Sequence, residues 1–238
     1  MNQHSIALAG STVIVTGASR GFGRGIAEAF TAAGAHVVGV ARSGGTVTAD
    51  AADPATAHRL IDQFAPRTVV LCAGAAPQMS PLQQQTWESF SLNWNVDVAQ
   101  AFHWIREALL RPLAPGSTVI AMSSGAAING SPLSGGYAGA KATVRMITGY
   151  AALESERAGL GIDFVSVLPS LTPATELGAK AVAAYAARQG VDVEQFAQSL
   201  QPALTAEQVG KSILEIAAAG PRGDRAYMLG PAGLSPLG

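Results

Sequence analysis

Thr16-Gly-Ala-Ser-Arg-Gly-Phe-Gly23 is a glycine-rich turn set between a strand signal and a helix signal. Before it, Thr12-Val-Ile-Val15 is a short apolar run rich in β-branched residues, the pattern of a buried parallel strand. After it, Gly23 to Ala33 reads as a helix, with Ile26, Ala27 and Phe30 on one face and Gly34 as its stop. Such a strand–turn–helix aims backbone N–H groups and the positive end of a helix dipole at an anion. Side chains in the turn would keep a dinucleotide pyrophosphate away, and Gly17, Gly21 and Gly23 remove them, with Ser19, Arg20 and Phe22 between.

The same alternation continues along the chain. His36 to Ala41 reads as the second strand, and Asp53 as an N-cap with Pro54 at the first position of a helix that runs to about Phe64. Val69–Cys72, Thr118–Met122, Phe164–Leu168 and Tyr227–Leu229 are further strands, with helices expected from about Trp87 to Leu110 and from about Gly136 to Ala158. Strands alternating with helices imply an α/β fold, a Rossmann-like doubly wound parallel sheet of about seven strands in a single domain over residues 1–238. Only seven residues separate Arg42 from Asp50, too few for a helical crossover. The third strand is therefore expected to be vestigial, with no helix before it. Gly230 to Gly238 reads as an irregular tail.

Composition narrows the function classes. The chain has 238 residues and a formal net charge of −1, with no basic stripe, so nucleic-acid binding is not expected. No apolar run reaches the ~20 residues that span a bilayer, and Met1-Asn-Gln-His-Ser lacks the pattern of a secretory leader. With one cysteine and scattered histidines, neither a disulfide nor a metal site is expected, and a cytoplasmic location fits. The end of the second strand is Ala41-Arg42, where a carboxylate would have favoured NAD. Arg42 and Arg20 instead offer two guanidiniums to a ribose 2′-phosphate, which favours NADP(H).

Tyr137 and Lys141 stand four residues apart, on one face of a helix, and Ser124 lies thirteen residues before the tyrosine. Singly, Tyr137 reads as a packing tyrosine and Lys141 as a solvated lysine. Together, and with the glycine turn upstream, they carry a specific resemblance. From about Leu8 to about Gly233 the chain resembles the classical short-chain dehydrogenase/reductase family.

That resemblance implies a ketone or aldehyde reductase, or alcohol dehydrogenase, acting on a small molecule. Tyr137 would be the general acid/base and Ser124 would hold the carbonyl oxygen; Ser123 competes, one residue further from the tyrosine than the family spacing. Lys141 would bind the nicotinamide ribose and favour phenolate over the free phenol, whose pKa is ~10. Asp97 falls where the family has an asparagine, with Asn93 and Asn95 nearby. Asp50-Ala51 matches the pair that contacts adenine, and Ala73-Gly74 the second half of an Asn-Asn-Ala-Gly turn whose first half is Leu71-Cys72 here. Pro169 to Thr175 matches a segment near the nicotinamide, in which Leu171 or Thr172 would offer an N–H and Thr172 or Thr175 would meet a diphosphate oxygen. Residues from about 172 to 201 correspond to the substrate lid, and homodimers or homotetramers through the two long helices are the family habit. The missing Asn-Asn pair and Asp97 are the only supports for the alternative, a non-catalytic dinucleotide-binding sensor or scaffold. The enoyl-reductase branch spaces its tyrosine and lysine more widely.

Overall fold

The computed structural model describes residues 8–219 and 224–237. The Met1–Ser5 stretch read for a leader, and Gly238 at the end of the tail, lie outside them. Strands β1 (Thr12–Thr16), β2 (His36–Ala41), β3 (Val47–Thr48), β4 (Thr68–Leu71), β5 (Thr118–Met122), β6 (Asp163–Pro169), β7 (Ala226–Gly230) and β8 (Gly233–Pro236) form one sheet in the order β3-β2-β1-β4-β5-β6-β7-β8. Pairing is parallel from β3 through β7. Chain order reverses between β1 and β4, the place where open α/β sheets hold their ligands beyond the strands' carboxyl ends.

Period-two alternation sorts the strands' side chains to two cores. On one face Ile14, Val69, Leu71, Val119 and Ala121 pack with Leu60, Trp104 and Val144. These come from α2 (Pro54–Phe64), α4 (Ala99–Leu110) and α6 (Gly135–Arg157). On the other, Val13, Val15, Val70, Ile120 and Met122 pack with Ile26, Phe30, Val209 and Ile213. These belong to α1 (Gly21–Ala32) and α9 (Ala206–Ala219).

The α2 cap is as expected: Asp53 accepts from the Ala55 N–H, with Pro54 at the first helical position. No helix enters β3, which is two residues long. What anchors this edge is a tryptophan from another element. Trp104, fully buried on α4, donates its Nε1–H to the Ala51 carbonyl at 2.9 Å.

Two expectations need correction. The sheet has eight strands, and the segment after Gly230 is not irregular. It turns back at Pro231-Ala232 and pairs antiparallel with β7, Leu229 opposite Leu234 and Tyr227 opposite Pro236. Prolines and glycines break a central strand, but a two-residue turn accommodates Pro231 and an edge strand tolerates Pro236. The long helix also is not uniform. It runs as α3 (Trp87–Asn93), one π-helical turn over Trp94–Val98, and then α4.

Trp104→Phe keeps an aromatic ring but orphans the buried Ala51 carbonyl and leaves a void. The expected cost is about 2–3 kcal/mol, a fall in Tm of roughly 4–12 °C by thermal circular dichroism. A change under about 2 °C would show that the tryptophan does not anchor the edge.

Candidate active site

The glycine turn leaves β1 at Thr16 and meets the turn leaving β4. Gly17 has φ +69°, and a Cβ there would lie 2.8 Å from the Ala73 backbone. A Cβ on Gly23 would overlap the Gly17 carbonyl. Only glycine lets the two turns close on each other and leaves the start of α1 open. Arg20, the residue before α1, is extended, and no side chain caps the first N–H groups of that helix. An uncapped helix N-terminus beside a turn opened by its glycines fits a pyrophosphate.

Ser124, Tyr137, Lys141 and Asp97 occupy the carboxyl end of β5 and the two helices beside it. Lys141, on α6, is buried, with its Nζ 2.9 Å from Asp97 Oδ1 and donating to the Met122 carbonyl at 3.0 Å. The same nitrogen lies 5.7 Å from the centre of the Tyr137 ring. Burial works against the ammonium, but Asp97, and then Tyr137, outweigh it, so the lysine's pKa is held above its ordinary value. Asp97 is 1% exposed; its Oδ2 accepts from the Ala75 N–H at 3.0 Å and from Asn93 Nδ2 at 3.1 Å. The rivalry between the two serines is resolved by geometry. Ser123 is buried and spends its hydroxyl on the Lys141 carbonyl at 2.7 Å, whereas the Ser124 hydroxyl accepts from the Ala126 N–H and remains half-buried.

Cys72 lies beneath this cluster. Desolvation pushes its thiol up to about 11, against the opposing pull of Lys141, so it is a neutral packing group at physiological pH.

The remaining expected contacts are distributed less simply. Arg42 is exposed at the end of β2, and Ser19 faces the loop that follows, 3.6 Å from where a Cβ on Gly44 would be. Arg20 does not turn toward Arg42. Its guanidinium pairs at 2.8 Å with Glu176, the first residue of α7 (Glu176–Gln189). Asp50 is exposed and one of its oxygens caps the Ala52 N–H, while Ala51 is buried. Thr172 is buried and donates to the Leu204 carbonyl at 2.8 Å, whereas Thr175 caps α7 and stands 3.9 Å from where a Cβ on Gly21 would be. Of the two threonines, Thr175 is the one that faces the glycine turn. Pro169 ends β6, and Leu171 is exposed beyond it.

Several contacts of the site were not foreseen. Thr16 and Gln100 hold the Cys72–Ala73 backbone, and Asn93 donates to the Ala75 carbonyl at 2.8 Å. Asn93, Asp97 and Gln100 recur at helical spacing, a polar face on a helix packed against a sheet, and that was a readable signal. Tyr185, from α7, hydrogen-bonds Ser131, which in turn bonds Ser134, and stacks on Phe196 of α8 (Val193–Ser199). No sequence pattern announced that link between α7 and the loop before α6. Among the described residues there is no group of histidine, cysteine or carboxylate side chains fit for a metal, and no helix long and apolar enough to cross a membrane.

Residues 17–218 match a family described as enoyl-(acyl carrier protein) reductase. Among curated relatives, L-xylulose reductase of Mesocricetus auratus is 29% identical over 165 residues, 63% of this chain and 67% of that one. Across such relatives the aligned stretch spans 61% to 74% of their length. Among solved structures, a short-chain dehydrogenase from Burkholderia cenocepacia in complex with NADP superposes with a TM-score of 0.74 at 24% identity, over 91% of this chain and 93% of that one. A 3-ketoacyl-(acyl-carrier-protein) reductase from Brucella melitensis complexed with NADH gives 0.71 at 21% identity, over 89% and 92%. At these identities the structures speak to the fold.

Removing one member of the buried pair should be costly. Asp97→Leu strands the Lys141 ammonium, for an expected loss of about 3–5 kcal/mol by urea unfolding at pH 7, while Asp97→Leu/Lys141→Met should cost less than the sum of the singles. The lysine's raised pKa makes the pair's contribution complete below the ordinary lysine value of ~10.4, fading only as pH climbs above it. Additive single losses would mean that the pair is not coupled.

Proposed function

This chain belongs to the classical short-chain dehydrogenase/reductase family, and from that premise we propose that it is an NADP(H)-dependent oxidoreductase interconverting a ketone or aldehyde with an alcohol. The carrying observation is the Tyr137–Lys141 stack, with the lysine held as a fixed buried cation by Asp97. The nicotinamide dinucleotide, when bound, supplies or accepts the hydride. In reduction Tyr137 gives its phenolic proton to the carbonyl oxygen, and in oxidation it takes that proton from the alcohol. Ser124 holds the same oxygen through its hydroxyl. The Lys141 ammonium puts positive charge beside the tyrosine ring, where charge develops as the proton leaves. Of its three donors, one faces Asp97 and one the Met122 carbonyl, leaving one for the nicotinamide ribose. Asp97 substitutes for the family's asparagine by charge, pairing with the lysine directly.

The cofactor would be held along the line of turns. Gly17, Gly21, Phe22 and Gly23 with the start of α1 take the pyrophosphate. Asp50 and Ala51 take the adenine. Ala73, Gly74, Pro169, Leu171 and the Thr172–Thr175 segment take the nicotinamide half. Arg42, Ser19 and Arg20 take the 2′-phosphate, which must draw Arg20 from Glu176. An exposed pair of this kind is worth only about 0–1 kcal/mol, so a phosphate can outcompete it. A carbohydrate-like carbonyl fits the relatives named L-xylulose reductase and sorbitol dehydrogenase. Residues 172–201 form the substrate lid.

We also propose a homodimer or homotetramer. Trp94, Phe102, Met146 and Tyr150 are all exposed on the π turn, α4 and α6, and Met146 and Tyr150 line a hollow of about 420 Å³ on α6. Light scattering at micromolar concentration should give two or four chain masses; one chain mass overturns this.

The function is tested with an NADPH-linked screen of ketones and alcohols. Tyr137→Phe should leave NADPH affinity nearly intact and lower turnover by roughly 10²–10⁴-fold. Asp97→Asn discriminates: preserved or raised activity means that the carboxylate merely substitutes for the family's asparagine, and lost activity means that the Lys141 ammonium needs the counter-charge. Arg42→Asp should shift calorimetric preference toward NADH. Wild-type turnover by Tyr137→Phe would refute the mechanism, and equal or tighter binding of NADH than NADPH by the wild type would refute the cofactor assignment. NADPH binding with no turnover of any carbonyl or alcohol would favour the non-catalytic sensor.

A further inference from the structure

The turn that follows β4, Cys72-Ala73-Gly74-Ala75, lies between the glycine turn and the long helix, and has no polar side chain to hold its own backbone apart from the weakly bonding thiol. Every strong partner comes from outside. The Thr16 hydroxyl accepts from the Cys72 N–H at 2.9 Å and the Ala73 N–H at 3.2 Å. With both lone pairs so used, its proton goes to Gln100 Oε1, the nearest alternative acceptor being the Val70 carbonyl at 3.4 Å. Gln100 returns a second bond, Nε2 to the Ala73 carbonyl at 2.8 Å. Further along, Asn93 and Asp97 take the Ala75 carbonyl and N–H. Gln100 is 3% exposed, so these bonds are made without competition from water.

We propose that Gln100 is a positioning residue for cofactor binding. It orients the Thr16 hydroxyl and clamps Ala73, so that α4 supplies from outside the support that the turn's own Leu71 and Cys72 side chains cannot give. The consequence reaches the cofactor because Ala73 backs directly onto Gly17: a shift of the Ala73 backbone moves the wall of the pyrophosphate cradle. It reaches the reacting end as well, because the same helical face carries Asp97, which holds Lys141. The functional half of the proposal rests on the dehydrogenase reading; the structural half does not.

The test is Gln100→Met, of similar volume but unable to make either bond, beside Ser155→Ala as a control. Ser155 is equally buried and donates to the Ile162 carbonyl at 2.8 Å, at the far end of α6. Amide hydrogen exchange is read on the ligand-free protein and NADPH affinity by calorimetry. In Gln100→Met the Cys72 and Ala73 amides should exchange at least about tenfold faster, and the NADPH Kd should rise about tenfold, the scale of two lost hydrogen bonds. Ser155→Ala, although similarly destabilised, should change neither. Should Gln100→Met not fold, Thr16→Val severs the same link from the other end and should show the same exchange pattern. Unchanged exchange at Cys72 and Ala73 overturns the proposal, as does an equal rise in Kd with the control. If the wild type binds neither NADPH nor NADH, the dehydrogenase reading falls, and the exchange result still decides whether Gln100 holds the turn.

Discussion

A buried ammonium must find a counter-charge or lose its proton, and much of this candidate site follows from meeting that demand at Lys141. Asp97 answers it, 2.9 Å away and almost fully enclosed. Taking both charges out of water costs several kcal/mol per ion, a cost recovered only if the carboxylate's other oxygen is also satisfied. Hence Asn93 and the Ala75 N–H converge on Oδ2. Gly74 then has to be glycine, because a Cβ there would lie 2.8 Å from Asp97 Oδ1. The helix opens into a π turn where Asp97 is carried, a local irregularity of the kind that gathers at functional positions.

Against this fixed centre the rim is loosely tied. Helix α7 is linked to the glycine turn through Arg20–Glu176, both side chains mostly solvated, and Lys180 shares the same carboxylate at 2.8 Å. Solvent screening leaves little net energy in such a pair. A second link, Tyr185 to Ser131 and Ser134, runs through hydroxyl groups alone. Under the proposed function, that difference in strength between centre and rim would let the reacting groups stay in place while the rim opens for ligand exchange.

Most of the fold was legible because its signals are local. The β-branched runs give β1, β4 and β5, Asp53-Pro54 starts α2, and a gap of seven residues rules out a helix before β3. The missed hairpin at Gly233–Pro236 is also explicable, since proline and glycine break central strands but not a short edge strand reached by a tight turn. In the site, Tyr137 and Lys141 share a helix face as their spacing implies, and Asp97, singled out through the family resemblance, lies against the lysine. The polar helix face that carries Gln100 was readable, but which groups Thr16, Gln100 and Tyr185 bind was not. Their partners are backbone groups or hydroxyls brought near only by tertiary packing, from residues 27 to 57 positions away. The pairing of Arg20 with Glu176, 156 residues on, was beyond any local pattern for the same reason.

The two ends of the sheet carry a consequence for the chain's behaviour in a crowded solution. One margin is β3, two residues long, and the other is β8, four residues long and closed by Pro236. Neither offers a row of free N–H and C=O groups long enough to template another strand. The β-branched segments with the strongest tendency to aggregate, β1, β4 and β5, occupy the middle of the sheet, each paired on both sides. The native sheet thereby gives fibrillar growth by edge-to-edge addition little to start from.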